Sequence, residues 1–375
     1  MIRSFIWLVF GLLMMSGPVD AADLGAPRLE IVAQLKQRPG NIAVAPDGRM
    51  FITIHPFDNP TFKVMELMSD GTTKPYPSED WAREPAMDGT GLVNPLHLVV
   101  SAGMLYVLDM GNARTEPKLV AWDLSTNKLN RVWYLPRHVV TPQSFMQDFV
   151  MTPDGAHVFI ADMGQADLIG KADPALVHLD LITGMARRLL AGDPFLRPGT
   201  KAMQAMGRQM MFSRDGKEYD LYLGFNPITL DPSGTWLYVA PMGEGDVARI
   251  KVADLLDPQL SAPDLSKRLV RIGLKPPSDG MLVDDQENIF IASVNDGAIG
   301  VLNNKGKYAT WLRDPLLLWP DGLAFGPDHG IYVTVNQLHL APAFNKGEER
   351  ATPPYMVVRI MGGRPMPKDD HKAAE

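Results

Sequence analysis

The sequence predicts an all-β protein, a six-bladed β-propeller of four-stranded antiparallel blades. Two observations carry this prediction. A sixteen-residue hairpin pattern occurs six times along the chain, at intervals of about fifty residues, a period typical of propeller repeats. The stretches between successive hairpins contain further apolar segments of strand length, which is what a four-stranded blade requires.

Each hairpin window has a polar start, an apolar strand, a turn and a second apolar strand. The third and fifth residues are apolar in all six windows, the period of two expected of a strand with one face in a core. Turns such as Pro46-Asp47-Gly48 and Pro153-Asp154-Gly155 contain proline and glycine, which favour tight reversals. The windows span residues 40–55, 94–109, 147–162, 226–241, 279–294 and 321–336.

The segments outside the windows supply the outer strands. Segment 28–35, upstream of the first hairpin, is expected to join the last blade and close the ring, which removes exposed strand edges. A β-sandwich is the alternative, but it does not require a repeated unit. The long insertion 193–217 is expected to form a loop over one face. The other outer strands are predicted at 119–124, 176–181, 247–252, 298–302 and 355–360.

The two ends of the chain are predicted to lie outside the propeller, which spans residues 22–363. Residues 1–21 resemble an export signal, because Arg3 precedes an apolar stretch that ends at a small-residue cleavage pattern. We therefore expect export to the periplasm or the extracellular space. No segment reaches the roughly 18 uninterrupted apolar residues of a membrane span, so no membrane anchor is predicted. Residues 364–375 have the composition of a disordered tail.

Composition narrows the class of ligand. The chain has no cysteine, so disulfides are excluded, and its formal net charge is -7. An acidic chain without basic runs is a poor partner for nucleic acid, whose phosphates require a cationic surface. No phosphate-binding loop or dinucleotide fingerprint is present, so we expect no nucleotide or organic cofactor. A small polar or cationic molecule is the expected partner, and the oligomeric state is left open.

The first residue of each window is expected to precede the innermost strand and to face the mouth of the central channel. Five of these six residues carry side-chain oxygen, the donor that calcium and magnesium prefer. We therefore predict that Asn94, Asn226, Asp279 and Asp321 hold Ca²⁺ or another divalent cation. The alternative is that Asp and Asn at strand starts only cap turns. The six residues are Gly40, Asn94, Gln147, Asn226, Asp279 and Asp321.

Three carboxyl groups are candidates for catalysis. Asp279 and Asp321, close together in a narrow channel, repel each other unless a cation or a proton lies between them. Asp148 enters the channel as well if its strand is shifted by one residue, because such a shift exchanges the two faces. A carboxyl group with a raised pKa is suited to act as a general base.

Other channel residues are candidates for ligand contact. Gln147 is one of the six first-position residues, which together form a polar ring at the channel mouth. Trp319, two residues before Asp321, is placed to form an aromatic wall. His97 is expected on the strand face opposite Leu96 and Leu98. The alternative for His97 is an ordinary packed or exposed histidine.

Segments 39–57, 226–242 and 335–360 resemble bacterial members of the yellow and major royal jelly protein family. The resemblance runs along most of the chain, and its more specific parts are His55-Pro56-Phe57 and Asn336-Gln337-Leu338. It implies a six-bladed propeller and secretion. It also implies activity of the kind described for that family, in which some members convert dopachrome and others bind amines.

A more distant resemblance is to the gluconolactonase, regucalcin and SMP-30 superfamily, in which Glu, two Asn and Asp hold a divalent cation. Segment 278–281 looks like the aspartate motif of that superfamily, and Asn226 or Asn94 matches the asparagines. Gly40 and Asn41 occupy the place of the glutamate, which leaves Asn41 as a candidate ligand contact and weakens the case for lactone hydrolysis.

Three functions are therefore open at this stage, and whether the chain is an enzyme is undecided. The first is an isomerase of dopachrome-like compounds or a related binder of aromatic or amine metabolites. The second is a divalent-metal-dependent lactonase. The third is a non-catalytic protein that binds a small ligand.

Overall fold

The computed structural model describes residues 26–362, and the predicted export signal and disordered tail lie outside the described residues. Six four-stranded antiparallel sheets are present, and the innermost strand of each contacts the innermost strands of its two neighbours in a closed ring. The predicted six-bladed β-propeller is confirmed.

Blades 1 to 5 each use four strands that follow one another along the chain, with the first innermost. Blade 1 consists of Pro39–Val44, Met50–Ile54, Val64–Leu67 and Thr73–Pro75. Blade 2 consists of Pro95–Ser101, Met104–Asp109, Lys118–Asp123 and Lys128–Tyr134. Blade 3 consists of Met146–Met151, His157–Asp162, Ala175–Asp180 and Ala186–Leu189. Blade 4 consists of Phe225–Leu230, Trp236–Pro241, Gly245–Lys251 and Val270–Lys275. Blade 5 consists of Ser278–Val283, Ile289–Ser293, Ala298–Leu302 and Tyr308–Arg313.

Blade 6 joins the two ends of the described chain. Its strands, from the axis outward, are Pro320–Phe325, Ile331–Val335, Tyr355–Met361 and Arg28–Leu35. The outermost strand pairs antiparallel with its neighbour from Arg28 opposite Met361 to Leu35 opposite Tyr355. The predicted closure of the ring by segment 28–35 is therefore confirmed.

The core lies between neighbouring blades. Apolar side chains of the second strands, such as Phe51, Phe159 and Phe290, are at most 1% exposed. Each packs against a facing sheet, as in any stack of twisted sheets. This arrangement leaves the innermost strands to line the channel between the blades.

The few helices are short and lie between strands. None of the helices within residues 26–362 is long and apolar enough to cross a membrane. The α-helices are Glu79–Ala82, Val252–Leu256 and Ala262–Ser266. The 3₁₀-helices are Pro56–Asp58, Leu338–Leu340 and Pro342–Phe344.

The long connection between blades 3 and 4 forms two small hairpins. The first pairs Gln204–Ala205 with Arg208–Gln209, and the second pairs Met211–Arg214 with Lys217–Asp220. Met203 and Met210 pack in one cluster with Trp319 and Leu338 of blade 6. The connection therefore covers the end of the channel at which the polar ring lies.

Candidate functional site

Every innermost strand has a β-bulge near its start. The pairing with the second strand shifts between Pro39 and Ile42 in blade 1, and at the corresponding place in the other five blades. A bulge changes the direction of side chains locally. In five blades the bulge contains the residue predicted at the first window position, so these residues lie within the innermost strand rather than before it.

The bulged residues form the floor of a cavity on the channel axis. Its walls are mainly apolar and aromatic and come from the loops above the strands. The floor residues are Gly40, Asn41, Gln147, Asp148, Asp279 and Asp321. The wall residues include Phe57, Phe145, Met163, Leu223, Met242 and Phe344.

The aromatic side chains at the mouth join three different loops. The rings of Phe57 and Phe344 lie 5.9 Å apart, and Phe344 lies 6.1 Å from Phe212 in the second small hairpin of the insertion. Aromatic pairs at this spacing stabilise one another beyond their buried area. A ligand entering the cavity therefore passes an aromatic rim.

Asp279 is the most tightly held carboxyl group of the floor. Its Oδ1 accepts a hydrogen bond from Asn226 Nδ2 at 2.7 Å, and its Oδ2 accepts one from Trp319 Nε1 at 2.8 Å. Burial raises the pKa of Asp279 to about 6, although both donors and the nearby Lys275 oppose the shift. Asp279 is therefore a carboxyl group that titrates close to neutral pH.

Asp148 and Asp321 share the same cavity. Burial and the charge of Asp279 raise the pKa of each well above its ordinary value. Asn336 Nδ2 donates a hydrogen bond to Oδ2 of Asp321 at 2.6 Å. The structure thus brings the three predicted catalytic candidates together, because the bulge in blade 3 turns both Gln147 and Asp148 towards the axis.

His97 lies below this floor. Its Nδ1 accepts a hydrogen bond from the Phe149 backbone N–H at 2.8 Å and lies 3.3 Å from Asp148 Oδ1. Burial lowers the pKa of His97 to about 3, so the ring is neutral. His97 lines a second cavity further along the axis, whose boundary with the first includes Asn41 and Asp148.

The remaining predicted ligand contacts line the cavity above the floor. Gln147 and Asn41 line the first of these two cavities, the upper cavity, together with Trp319. The Trp319 ring is 1% exposed and stacks on His339 at 5.9 Å. Its backbone φ of 64° places the indole in the wall, where it holds Asp279 in position. Ligand contact by these residues stays a prediction.

The four predicted metal ligands are not all in one place. Asn226 and Asp279 are hydrogen-bonded, and Asp279 and Asp321 line the same cavity, but neither Asn226 nor Asn94 is among the residues that line it. The Asn94 side chain donates to Gly111 O at 3.0 Å, and its backbone N–H donates to Asp109 Oδ1 at 2.8 Å.

The donor set fits a divalent cation poorly. Each Asp279 oxygen accepts one N–H group and keeps a lone pair for a cation, but neither predicted asparagine ligand lines the cavity, and the indole N–H of Trp319 cannot bind a cation. Rotating the Asn226 amide would bring its buried, unpartnered oxygen beside Asp279, but the indole donor would still face the carboxylate. Within residues 26–362, no group of three or more His, Cys, Asp or Glu is arranged to hold a metal ion. The metal site stays a prediction.

Three polar residues of the site were missed from the sequence. Asn336 bonds Asp321, and His55 lines the cavity with its pKa lowered to about 3 by burial. Lys275 is 1% exposed, donates to Gly243 O at 3.0 Å, and has its pKa lowered to about 7 by burial. His55 and Asn336 are the last residues of their windows, a repeated position that could have indicated them. We find no comparable signal for Lys275.

The same last position holds two structural carboxyl groups. Asp109 accepts hydrogen bonds from the backbone N–H groups of Val93, Asn94 and Gly111. Asp162 accepts from Phe145 N, Gly164 N, Ser144 Oγ and Arg188. These two carboxyl groups hold the loops between strands in place. Each accepts more hydrogen bonds than Asp279 or Asp321 on the cavity floor does.

Comparisons with known proteins agree with this architecture. The family model described as Major royal jelly protein matches residues 99–325. Major royal jelly protein 6 of Apis mellifera is 22% identical over 244 residues, which cover 61% of this chain and 51% of that protein. The chain therefore spans about half the length of this relative.

Several solved propellers share the fold. A gluconolactonase from Xanthomonas campestris superposes with a TM-score of 0.56 at 13% identity, covering 91% of each chain. A luciferin-regenerating enzyme gives 0.54 at 13% identity, covering 90% of this chain and 96% of its own. Regucalcin, a calcium-binding protein of Agrobacterium tumefaciens, gives 0.50 at 16% identity, covering 91% and 95%. At this identity these likenesses establish the fold alone.

The family match to residues 99–325 spans more than half of the chain. The chain belongs to the major royal jelly protein family.

Proposed function

We propose that this chain is an exported propeller whose axial cavity binds a small molecule with an aromatic body and a protonated amine. The observation that carries the proposal is the placement of Asp148, Asp279 and Asp321 on the floor of a cavity with apolar and aromatic walls. An ammonium group beside buried carboxyls favours their ionised form. The walls suit the ring of the same ligand.

The hydrogen bonds assign different tasks to the three carboxyls. Both oxygens of Asp279 are occupied by protein donors, so Asp279 is fixed in place and contributes mainly negative charge. Within residues 26–362, Asp321 has a hydrogen bond on one oxygen only. We therefore assign direct contact with the ammonium to Asp321 and Asp148.

Calorimetry with tyramine tests this proposal. We expect tyramine to bind more tightly than 4-ethylphenol, which has the same ring and lacks the amine. Asp321→Asn is expected to lower tyramine affinity by about tenfold or more, because about 1.4 kcal/mol of charge attraction is lost. Asp215→Asn, whose side chain is 92% exposed, is the matched control. Equal affinity for the two compounds, or an unchanged affinity in Asp321→Asn, would refute the proposed contact.

A second candidate function is proton transfer within a dopachrome-like cyclised catechol. It is favoured by Asp321, which lines the cavity and, among the described residues, accepts a hydrogen bond on one oxygen only, so that the other oxygen can take a proton. The base would remove a proton from a saturated carbon of the five-membered ring; overall two protons leave the saturated carbons and two are added to the quinone oxygens, so the isomerisation needs no co-reactant. Loss of dopachrome colour is the assay. A rate no higher than that in buffer would leave binding as the function.

Export is proposed from the sequence and is tested separately. We expect the protein, expressed from its full sequence, to appear in the periplasmic or extracellular fraction with its first residues removed. Mass determination of the mature chain identifies the cleavage point. Recovery of uncleaved protein from the cytoplasm would contradict this part of the proposal.

A further inference from the structure

The second small hairpin of the insertion differs from the first in burial. It pairs Met211–Arg214 with Lys217–Asp220, and all residues from 211 to 220 are half-buried or exposed. In the first hairpin, by contrast, Ala205 is 3% exposed. A two-stranded hairpin is marginally stable in water unless it packs against a further element. The contacts of the second hairpin with the rest of the chain therefore decide whether it stays closed.

A ring contact and a hydrogen bond join this hairpin to the loop that follows the second strand of blade 6. The Phe212 ring lies 6.1 Å from the Phe344 ring, and Phe212 also packs against the buried cluster that contains Trp319. The Lys346 backbone N–H donates to Ser213 Oγ at 2.9 Å. Phe212 is therefore the apolar anchor of the hairpin.

The ion pairs of the hairpin lie at its surface. Lys346 Nζ lies 3.1 Å from Glu218 Oε2, and Arg214 Nη1 lies 3.8 Å from Asp167 Oδ2. These four side chains are between 36% and 71% exposed, and exposed ion pairs contribute little to stability. A cleft of about 390 Å³ is lined by the hairpin on one side and by residues 346–347 on the other. The two surfaces are therefore loosely packed, and their polar contacts break at a small cost in free energy.

Both ends of the hairpin are anchored to the same buried residue. Met210 N–H donates to Met203 O at 2.8 Å, and Met203 N–H donates to Leu221 O at 2.7 Å. These three residues are at most 5% exposed. The first hairpin is fixed in turn to blade 5, because Met206 N–H donates to Val294 O at 3.1 Å. The second hairpin can therefore swing about its two ends without disturbing a blade.

The hairpin is linked to the upper cavity at both its base and its anchor. Leu221 lines the cavity, and so does Phe344, on which Phe212 packs. The cavity is nearly closed to solvent, because its wall residues Met163 and Trp319 are at most 1% exposed. A ligand with an aromatic ring therefore requires a movement of the cover in order to enter.

We propose that residues 211–220 form a flap that opens about Met210 and Leu221 and controls entry to the upper cavity. Opening breaks the exposed ion pairs and separates Phe212 from Phe344, which removes support from the aromatic rim. Control over a ligand rests on the proposed function, whereas the opening itself is a property of the free protein.

Hydrogen exchange followed by mass spectrometry tests the opening without any ligand. The backbone amides of residues 211–220 should exchange faster by about 100-fold or more than those of His157–Asp162, the second strand of blade 3. Protection of the hairpin equal to that of the blade strand would refute a flap.

The reaction of a single thiol tests access to the cavity. The chain has no cysteine, so Leu223→Cys places one thiol in the cavity wall, and Met242→Cys replaces this variant if it fails to fold. Adding Phe212→Ala should raise the rate of reaction with a thiol reagent by about tenfold. Adding Tyr134→Ala, at a residue 56% exposed on blade 2, should leave the rate unchanged. No effect of Phe212→Ala, or a Leu223→Cys thiol that reacts as fast as the exposed thiol of Ile182→Cys, would refute control by the flap.

A disulfide tests the effect of the flap on a ligand. Ser213→Cys combined with Lys346→Cys joins the hairpin to the neighbouring loop at the position of their hydrogen bond. A short bis-maleimide linker replaces the disulfide if it does not form. Stopped-flow mixing with tyramine should show association and dissociation slowed by about tenfold or more in the oxidised form, with the affinity nearly unchanged. The reduced form of the same variant is the matched control.

Equal rates in the oxidised and reduced forms would refute control of ligand entry by the flap. Absence of tyramine binding to the unmodified protein would refute the proposed function. The hydrogen-exchange and thiol measurements would then still decide whether the flap opens.

Discussion

Asp279→Asn offers the most direct test of the electrostatics of the floor. Burial raises the pKa of this carboxyl from 3.8 to about 6, a difference of about two pKa units. Each unit corresponds to about 1.4 kcal/mol, so ionised Asp279 lowers the free energy of unfolding by about 3 kcal/mol. A raised pKa means that the folded state binds more protons than the unfolded chain. The stabilisation by protonated Asp279 is therefore fully present below its unfolded-state pKa of 3.8, and it is lost as the pH rises through the folded-state pKa of about 6.

The assay is urea unfolding of the variant and of the unmodified protein between about pH 4 and pH 8. Asparagine can accept a hydrogen bond from Trp319 and donate one to a rotated Asn226 amide, so we expect a loss of no more than about 1 to 2 kcal/mol, independent of pH. The informative quantity is the dependence on pH. The fall in stability between these limits should be smaller in the variant by about 2 to 3 kcal/mol.

Other titrating groups justify comparing differences rather than single curves. Burial lowers the pKa values of His55 and His97 to about 3, so their contribution is lost as pH falls, in the opposite direction to that of Asp279. Both histidines are present in both proteins and cancel in the difference, whereas the part of the Asp148 and Asp321 pKa shifts that Asp279 causes is lost with it and adds to the difference. Asp215→Asn is the exposed control. Parallel stability curves for Asp279→Asn and the unmodified protein would refute a raised pKa at Asp279.

Three further predictions concern single contacts. Trp319→Phe removes the indole donor that lowers the pKa of Asp279, so the pH window in the same unfolding series should move upward; an unchanged window would contradict the bond. Asp162→Asn should cost about 3 to 5 kcal/mol, because it leaves the buried Arg188 contact and two backbone N–H groups poorly satisfied. Asp173 lies 3.8 Å from the same arginine and its side chain is 61% exposed. Asp173→Asn should therefore change the free energy of unfolding by less than about 1 kcal/mol. Similar losses in Asp162→Asn and Asp173→Asn would count against this reasoning. Calorimetry of chelator-treated protein with calcium should give only weak heat, because only Asp279 and Asp321 of the four predicted ligands line the cavity. Tight binding that Asp279→Ala abolishes would instead establish the predicted metal site.

The architecture could be predicted because the sequence repeats the same hairpin pattern six times. Six hairpins with apolar residues at alternate positions leave few ways to bury their faces. The closing strand was predictable too, since segment 28–35 is an apolar strand pattern with no hairpin partner of its own. Structure and prediction agree on its bounds, Arg28–Leu35.

The site was less predictable, because bulges decide where its side chains point. A bulge shifts the pairing without a clear mark in the sequence, so Asn226, Asp279 and Asp321 were expected before the strand rather than inside it. The same window position in blade 2 lies before the strand, and Asn94 there bonds a neighbouring loop. Lys275 was not predictable either, since its burial depends on loops distant in sequence.

The pairing of Arg28–Leu35 with Tyr355–Met361 determines how the molecule comes apart as well as how it is held together. Blade 6 is the one described blade whose strands come from both ends of the described chain. The propeller ring can therefore open there without disrupting a blade made of consecutive strands. More than three hundred residues separate the paired strands, so this seam forms at a high entropic cost and belongs to the slow, non-local contacts of folding. Fraying of the first strand frees the last blade from its outer support, which couples the integrity of the axial site to a strand on the rim of the disc.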